Sequence, residues 1–220
     1  MNLPRRAKAD DGPAPKSKSD HYAMKKSLGA KTLAMPTPVW IVGSYGEKDT
    51  PNIMTIAWGG ICNSVPPCVA ISLQKVRSTY ANILRRKAFT VNIPSTRYAV
   101  EADFVGITSG RDTDKFPATG LTPVKSDRVE APYVEEFPLV LECKVLETVD
   151  LGTHVQFIGE ILNVLADKSV LGETDEPLIE KVAPFVFNPG DRSYHAIGHT
   201  IGPAFSIGLN LLKRGRPESI

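Results

Sequence analysis

The stretch from Asn52 to Asn82, NIMTIAWGGICNSVPPCVAISLQKVRSTYAN, limits what this chain can fold into more than any other. Two β-branched apolar runs, IMTIAWGGI and CVAISL, stand either side of NSVPP, a turn too short for a crossover helix. A basic, hydroxyl-rich segment, Arg77-Ser78-Thr79, then opens onto helical spacing from Ser78 to Lys87. Tyr80, Ile83 and Leu84 are its apolar positions, and Arg85, Arg86 and Lys87 lie where cations suit the helix dipole. Ahead of this stretch, PVWIVGSYG is a third β-rich run, ended by Gly43–Gly46 and the turn EKDTPN. Strands that follow strands through short turns argue against a parallel βαβ sheet. They give the cadence of an antiparallel barrel or sandwich.

The remainder continues in the same manner. FTVNI is another strand, and Tyr98 to Val105 has the spacing of a short helix with Ala99, Ala102 and Val105 inward. Residues 106–120, GITSGRDTDKFPATG, are rich in turn-formers and charge and are expected to be a surface loop. Residues 137–148 and 153–165 form a hairpin around DLGT, with Glu160 at an edge or facing solvent. Residues 167–182 are a polar turn with one helical turn. PFVF and YHAIG are short strands split by NPGDR, and an apolar IGPAFSIGLNLL precedes the end. The fold class is therefore mainly β, a β-barrel with short helices. One domain is expected over residues 23–212. A polar, disordered tail is expected over 1–22, with Met24 a second candidate start, and a frayed end over 213–220.

Net charge of +2 gives no ground for a polyanionic partner. Seven Lys/Arg against three Asp fall within residues 1–26, so the rest of the chain carries −2 and nucleic acid is not an expected partner. Cys62, Cys68 and Cys143 are odd in number and form no CxxC pair, as suits reduced thiols. No apolar run is long enough to span a membrane, and no apolar core of a signal peptide is present, so a soluble, cytoplasmic protein is expected.

Chemistry points to the helix entry. A helix N-terminus leaves backbone N–H groups unpaired and carries partial positive charge, so it attracts phosphate. Ser78 or Thr79 could cap that helix, Arg77 offers a planar fork of donors, and Asn82 lies within one turn. A capped helix with an exposed arginine has the same spacing, so both readings stand. In NIMTIAW, Met54, Ile56 and Trp58 point one way and Ile53, Thr55 and Ala57 the other. The smaller face could take a flat ring, or the run could be an ordinary core strand, with Gly59-Gly60 allowing close backbone approach or a bulge. Scattered His and Cys make no metal site, and no GxSxG, P-loop or GxGxxG element occurs.

Taken in order, NIMTIAWGGICNSVPPCVAISL, VRSTYANI, FTVNIP, SGRDTDKF and YHAIGHTIGPAFSIG resemble the flavin reductase-like family and its flavoredoxin branch over residues 24–208. The resemblance implies an FMN-binding split barrel with a Greek-key-like antiparallel weave, a homodimer, and oxidoreductase activity of the NAD(P)H:flavin reductase type. On this sequence it implies that Asn52, Met54, Thr55, Ile56, Ala57 and Trp58 lie along the flavin. Cys62, Asn63 and Ser64 would contact the ring edge, and Arg77, Ser78, Thr79 and Asn82 would hold the phosphate. Asp114, Lys115 and Phe116 would border the site, and Tyr194 would approach the ring. Ala57-Trp58 replaces the Asn-Ser pair of many reductases, so NAD(P)H as reductant is less firmly implied than FMN. No side-chain acid or base is needed for hydride arrival, so binding residues and no catalytic ones are expected. His21 and His154 are read as exposed. His195 and His199 could meet a nicotinamide or be surface residues, and Cys62 could touch the flavin or be a small buried thiol. A non-enzymatic FMN electron carrier between redox proteins is the rival function. A β-barrel that binds flavin or haem without turnover, or acts on pyridoxine-type substrates, is a third.

Overall fold

The structure is a computed structural model that describes residues 25–214; the expected tail over 1–22, Met24 and residues 215–220 lie outside them. Residues 25–32 form no helix or strand and belong to a leading unit separate from the body that starts at Leu33. In chain order the body comprises β1 (Thr37–Pro38), β2 (Trp40–Tyr45), β3 (Pro51–Ile56), β4 (Gly59–Ser64), β5 (Pro67–Gln74) and α1 (Ser78–Arg86). β6 (Ala88–Ile93), α2 (Ala99–Ile107), α3 (Lys115–Thr119), β7 (Pro123–Lys125), β8 (Pro132–Val134), β9 (Leu139–Asp150) and β10 (His154–Ala166) follow. The body ends with α4 (Ile179–Val182), β11 (Phe185–Asn188), β12 (Ser193–Ala196) and a 3₁₀ segment, Ile207–Arg214. Among the described residues no helix is long and apolar enough to cross a membrane.

Seven strands make one antiparallel sheet in the order β3-β2-β6-β9-β10-β5-β4. Only half of the neighbouring pairs, β2-β3, β4-β5 and β9-β10, are also neighbours in sequence, and the long connections between the others make the Greek-key-like weave. The two edge strands, β3 and β4, are joined by only Ala57-Trp58, so the sheet must curl until its ends meet. The Ser72 N–H donates to the Trp58 carbonyl at 2.9 Å, which carries the β4–β5 pairing back to the corner with β3. β3 itself pairs only with β2, which leaves a gap in the wall between β3 and β5. The barrel is split there.

Alternation along the strands fills two cores. Val42, Met54, Ile56, Val69, Ile71, Phe89, Val91, Val155 and Phe157 point into the barrel. Ile41 and Ile53, one residue out of phase on β2 and β3, point the other way and meet Ala102 and Val105 of α2, Phe116 of α3, and Val134. The face of β3 expected to be open to a ring is therefore covered by helices. Thr55 fastens this layer by donating its hydroxyl to the Ala102 carbonyl. Gly59 lets Trp40 in: a Cβ there would lie 2.7 Å from the Trp40 ring. The glycine pair thus serves close approach, and the bulge falls two residues on, between Ile61 and Asn63.

Other readings change too. Residues 106–120 are not wholly loop, because α3 lies within them and Phe116 is buried. Glu160 is not on an edge, since β10 is paired on both sides, to β9 and to β5. It is half-buried, opposite Lys144.

Candidate functional site

The gap beside β3 continues into a chain of three cavities. The first, of about 160 Å³, is walled by Met54, Thr55, Ile56, Ala57 and Trp58 across from Ser72, Gln74, Arg77 and His154. The second, of about 120 Å³, shares Met54 and Arg77 with it and lies at the start of α1, between Ser78-Thr79 and Thr108-Ser109-Gly110. The third, of about 550 Å³, shares Ser78, Gly110 and Lys115 with the second and runs along α1 past Asn82 and Arg85.

Local structure explains why the second cavity has donors. Arg77 is extended (φ −78°, ψ 138°) and is the N-cap, with no side-chain cap bond, so neither Ser78 nor Thr79 caps the helix. The first N–H groups of α1 therefore have no intrahelical acceptor. Thr79 is buried and its hydroxyl accepts from Asn52 Nδ2 at 2.9 Å, which ties β3 to the helix. Gly110 leans against this link: a Cβ there would meet the Asn52 side-chain oxygen and lie 3.0 Å from Ser78 Oγ. Only glycine fits so close.

Lys115 is the main electrostatic feature. It is 4% exposed, yet no carboxylate among the described residues pairs with it. Its ammonium donates to the Ile53 carbonyl at 2.9 Å and the Val105 carbonyl at 2.7 Å. Burial, and to a lesser extent Arg77, pull its pKa down to about 8 from 10.5. A cation held dry against carbonyl dipoles, with a second cation nearby, makes this a place where an anion is stabilised. Ile53 turns its carbonyl away from β2 toward Lys115. By strand alternation Thr55 turns its backbone N–H and C=O to the same unpaired edge, facing the gap. A phosphate against Arg77, Ser78, Thr79 and Lys115, with a flat hydrogen-bonding ring along the β3 edge, fits these donors.

Of the residues singled out in the sequence, Met54, Thr55, Ile56, Ala57, Trp58, Arg77, Ser78, Thr79 and Lys115 line the first two cavities. Asn52 and Asn82 line the third, and Asn82 is occupied elsewhere. Its Nδ2 donates to Ser44 Oγ at 3.1 Å and its Oδ1 accepts from Arg85 at 3.2 Å. The structure does not bring Cys62, Asn63 or Ser64 to these cavities. They lie toward the tip of the β4–β5 hairpin, four to six residues beyond Trp58, or roughly 13–20 Å along a strand. Cys62 is exposed. Tyr194 also stands apart: its hydroxyl donates to Asp103 of α2 at 2.8 Å and its ring packs on Phe185 and Phe187. His195 bonds with Ser193, and His199 lines a separate pocket beside Glu180. Phe116 is core, and Asp114 precedes α3 on the rim of the third cavity.

Sequence reasoning missed His154, Ser72, Gln74, Ser109 and Gly110. His154 is half-buried in the first cavity, not exposed. Only the β10–β5 register, with His154 opposite Gln74, brings it there, and no local pattern encodes that pairing. The set offers groups for binding: hydroxyls, backbone donors and two cations along connected cavities, with no nucleophile–base pair among the described residues.

Residues 32–195 match the family described as flavin reductase like domain. The chain is 50% identical to flavoredoxin of Desulfovibrio vulgaris (Miyazaki F), whose structure superposes with a TM-score of 0.81 over 84% of this chain and 100% of that one. It is 28% identical to flavoredoxin from Methanosarcina acetivorans, with a TM-score of 0.81 over 86% of this chain and 100% of that one. It is 30% identical over 132 residues, 56% of this chain and 77% of the other, to a ferric-chelate reductase (NAD(P)H) of Archaeoglobus fulgidus. With a split barrel, an antiparallel weave and a match over most of its length, the chain belongs to the flavin reductase-like family.

Proposed function

We propose that this protein binds FMN in the two smaller cavities and works as an FMN-dependent oxidoreductase, taking electrons from NAD(P)H and passing them to a second acceptor. The observation that carries this reading is Lys115, a buried ammonium with no carboxylate partner among the described residues, where the second and third cavities meet at the start of α1. Arg77 and Lys115 offer charge to the phosphate, and Ser78 and Thr79 offer hydroxyls and backbone N–H groups. The unpaired edge of β3 at Thr55 offers one N–H and one C=O to the hydrogen-bonding rim of the ring. Trp58, Ala57 and Met54 offer apolar surface to its face. When bound, FMN supplies the redox chemistry, accepting a hydride and passing electrons on singly or as a pair. The chain's own part is to bind, orient and shield, so removing a single wall residue is expected to move affinity more than chemistry.

The NAD(P)H donor is supported by the relative whose name includes that cofactor, a ferric-chelate reductase. A carrier that only shuttles electrons between redox proteins is the second reading, supported by half-identity to a flavoredoxin. A homodimer is part of the proposal: Leu162 and Val164, two residues apart on β10, are about half exposed, apolar surface suited to a second copy. Stopped-flow mixing of the FMN-loaded protein with NADH or NADPH separates the two functions. Rapid bleaching of the flavin bands supports the oxidoreductase. Inertness to both nicotinamides, with bleaching by a reduced redox protein, replaces it with the carrier.

A further inference from the structure

The last stretch of the body leaves two apolar surfaces bare. Thr200 ties the chain down by donating its hydroxyl to the Glu180 carboxylate at 3.1 Å. Beyond it the segment bonds only within itself among the described residues: the Ser206 and Ile207 N–H groups donate to the Pro203 carbonyl and that of Leu209 to the Ser206 carbonyl. Five large apolar side chains stand out along residues 201–211. Ile201 is 94% exposed, Phe205 is fully exposed, and Ile207, Leu209 and Leu211 are half exposed or more. One exposed apolar residue is ordinary; five along one short arm are a contact surface. Phe205 also holds a left-handed φ of 58°, a conformation in which a bulky residue stays only where something beyond its own turn fixes it.

The second surface lies at the root of this arm. Two cavities of about 330 and 350 Å³ share Ile179, Pro184 and Ile197 and so form one groove. The larger, walled by Trp40, Leu139 and Phe185 among others, has no charged residue in its lining, while Glu180 and His199 stand in the smaller. Ile197 belongs to the groove, yet no residue from Ile201 onward lines it, so the arm leaves its own groove uncovered. A small apolar ligand in the groove would leave the arm bare; a second copy of this chain covers both surfaces at once. We infer that the arm of one copy lies in the groove of another, and that two copies exchange arms. Twofold symmetry makes the contact reciprocal, since a copy that gives an arm also offers a groove. Arm and groove together are on the scale of a stable interface, roughly 20–30 residues a side. The exchanged arms add to the β10 contact without replacing it. The inference deepens the homodimer reading and is independent of the flavin.

Cross-linking tests it. Ile179→Cys and Phe205→Cys are made separately in full-length protein that also carries Cys62→Ser, which removes the exposed thiol. The two preparations are mixed, equilibrated and oxidised, then read by non-reducing electrophoresis and mass spectrometry, with circular dichroism as the check on folding. The inference expects a covalent dimer joined through positions 179 and 205, at least about tenfold more abundant in the mixture than in either variant alone. In dilution light scattering, Phe205→Asp should raise the dimer dissociation constant by about tenfold or more. A chain carrying both cysteine substitutions that closes its disulfide within one copy would overturn the inference, because the arm would then lie on its own groove. A dimer by light scattering whose mixture cross-links no better than the single variants would also overturn it, and would leave the groove to a small apolar ligand. So would a dimer whose dissociation constant Phe205→Asp leaves unchanged. A protein that is monomeric throughout would remove the exchange together with the homodimer.

Discussion

Lys115 carries a pH signature that an ordinary surface lysine lacks. In the flavin-free protein its folded pKa, about 8, lies below the ordinary 10.5. Between those values the unfolded chain holds a proton that the folded one has released, so stability rises with pH across that window. FMN has the opposite linkage. The bound phosphate favours the ammonium and raises its pKa, so affinity is full below pH 8 and falls as pH rises above it. Calorimetric titration of FMN at pH 7 and pH 9 should show weaker binding and proton uptake at the higher value, and Lys115→Met should remove the difference. An affinity unchanged between the two would take Lys115 out of the phosphate pocket. Arg77→Ala should weaken FMN by about 1.5–3 kcal/mol, the usual worth of a hydrogen bond to a charged group, and Thr79→Ala by less. Arg77, Ser78 and Thr79 were legible in the sequence because they are contiguous and announce a helix start. His154 and Gly110 were not, because their partners lie 80 residues (Gln74) and 58 residues (Asn52) away in the chain.

β3 shows where strand patterns mislead. NIMTIAW reads as one large and one small face, and that alternation is real. The small face looked free only because the helices that cover it come some fifty residues later. What stays open is the strand's edge, a property of sheet order and not of side chains. α3 was hidden for another reason: five residues opening on Lys-Phe-Pro inside a polar loop carry no helical period. Phe116 anchors it against Ile53, Ala102 and Val105 and so holds Lys115 in position. Phe116→Ala should cost about 3–5 kcal/mol of stability in urea titrations, and FMN affinity should fall with it. Loss of stability with affinity intact would show that α3 does not position the lysine.

For the molecule, the antiparallel barrel was legible because strand followed strand without room for crossover helices. The split in its wall was not, because it depends on which two of the seven strands end up at the sheet's edges. The exposed apolar residues of β10 lead to an assembly prediction. Light scattering should give a dimer mass, and charges introduced as Leu162→Glu and Val164→Glu should give a folded monomer. A monomer without substitution would remove the second copy from the proposal. The most direct test of the whole account is a titration of the flavin-free protein with FMN, followed by flavin fluorescence and absorption. Saturable binding at one site per chain, weakened in Arg77→Ala and Lys115→Met, is the predicted result. A protein that leaves the FMN spectrum and fluorescence unchanged would contradict it.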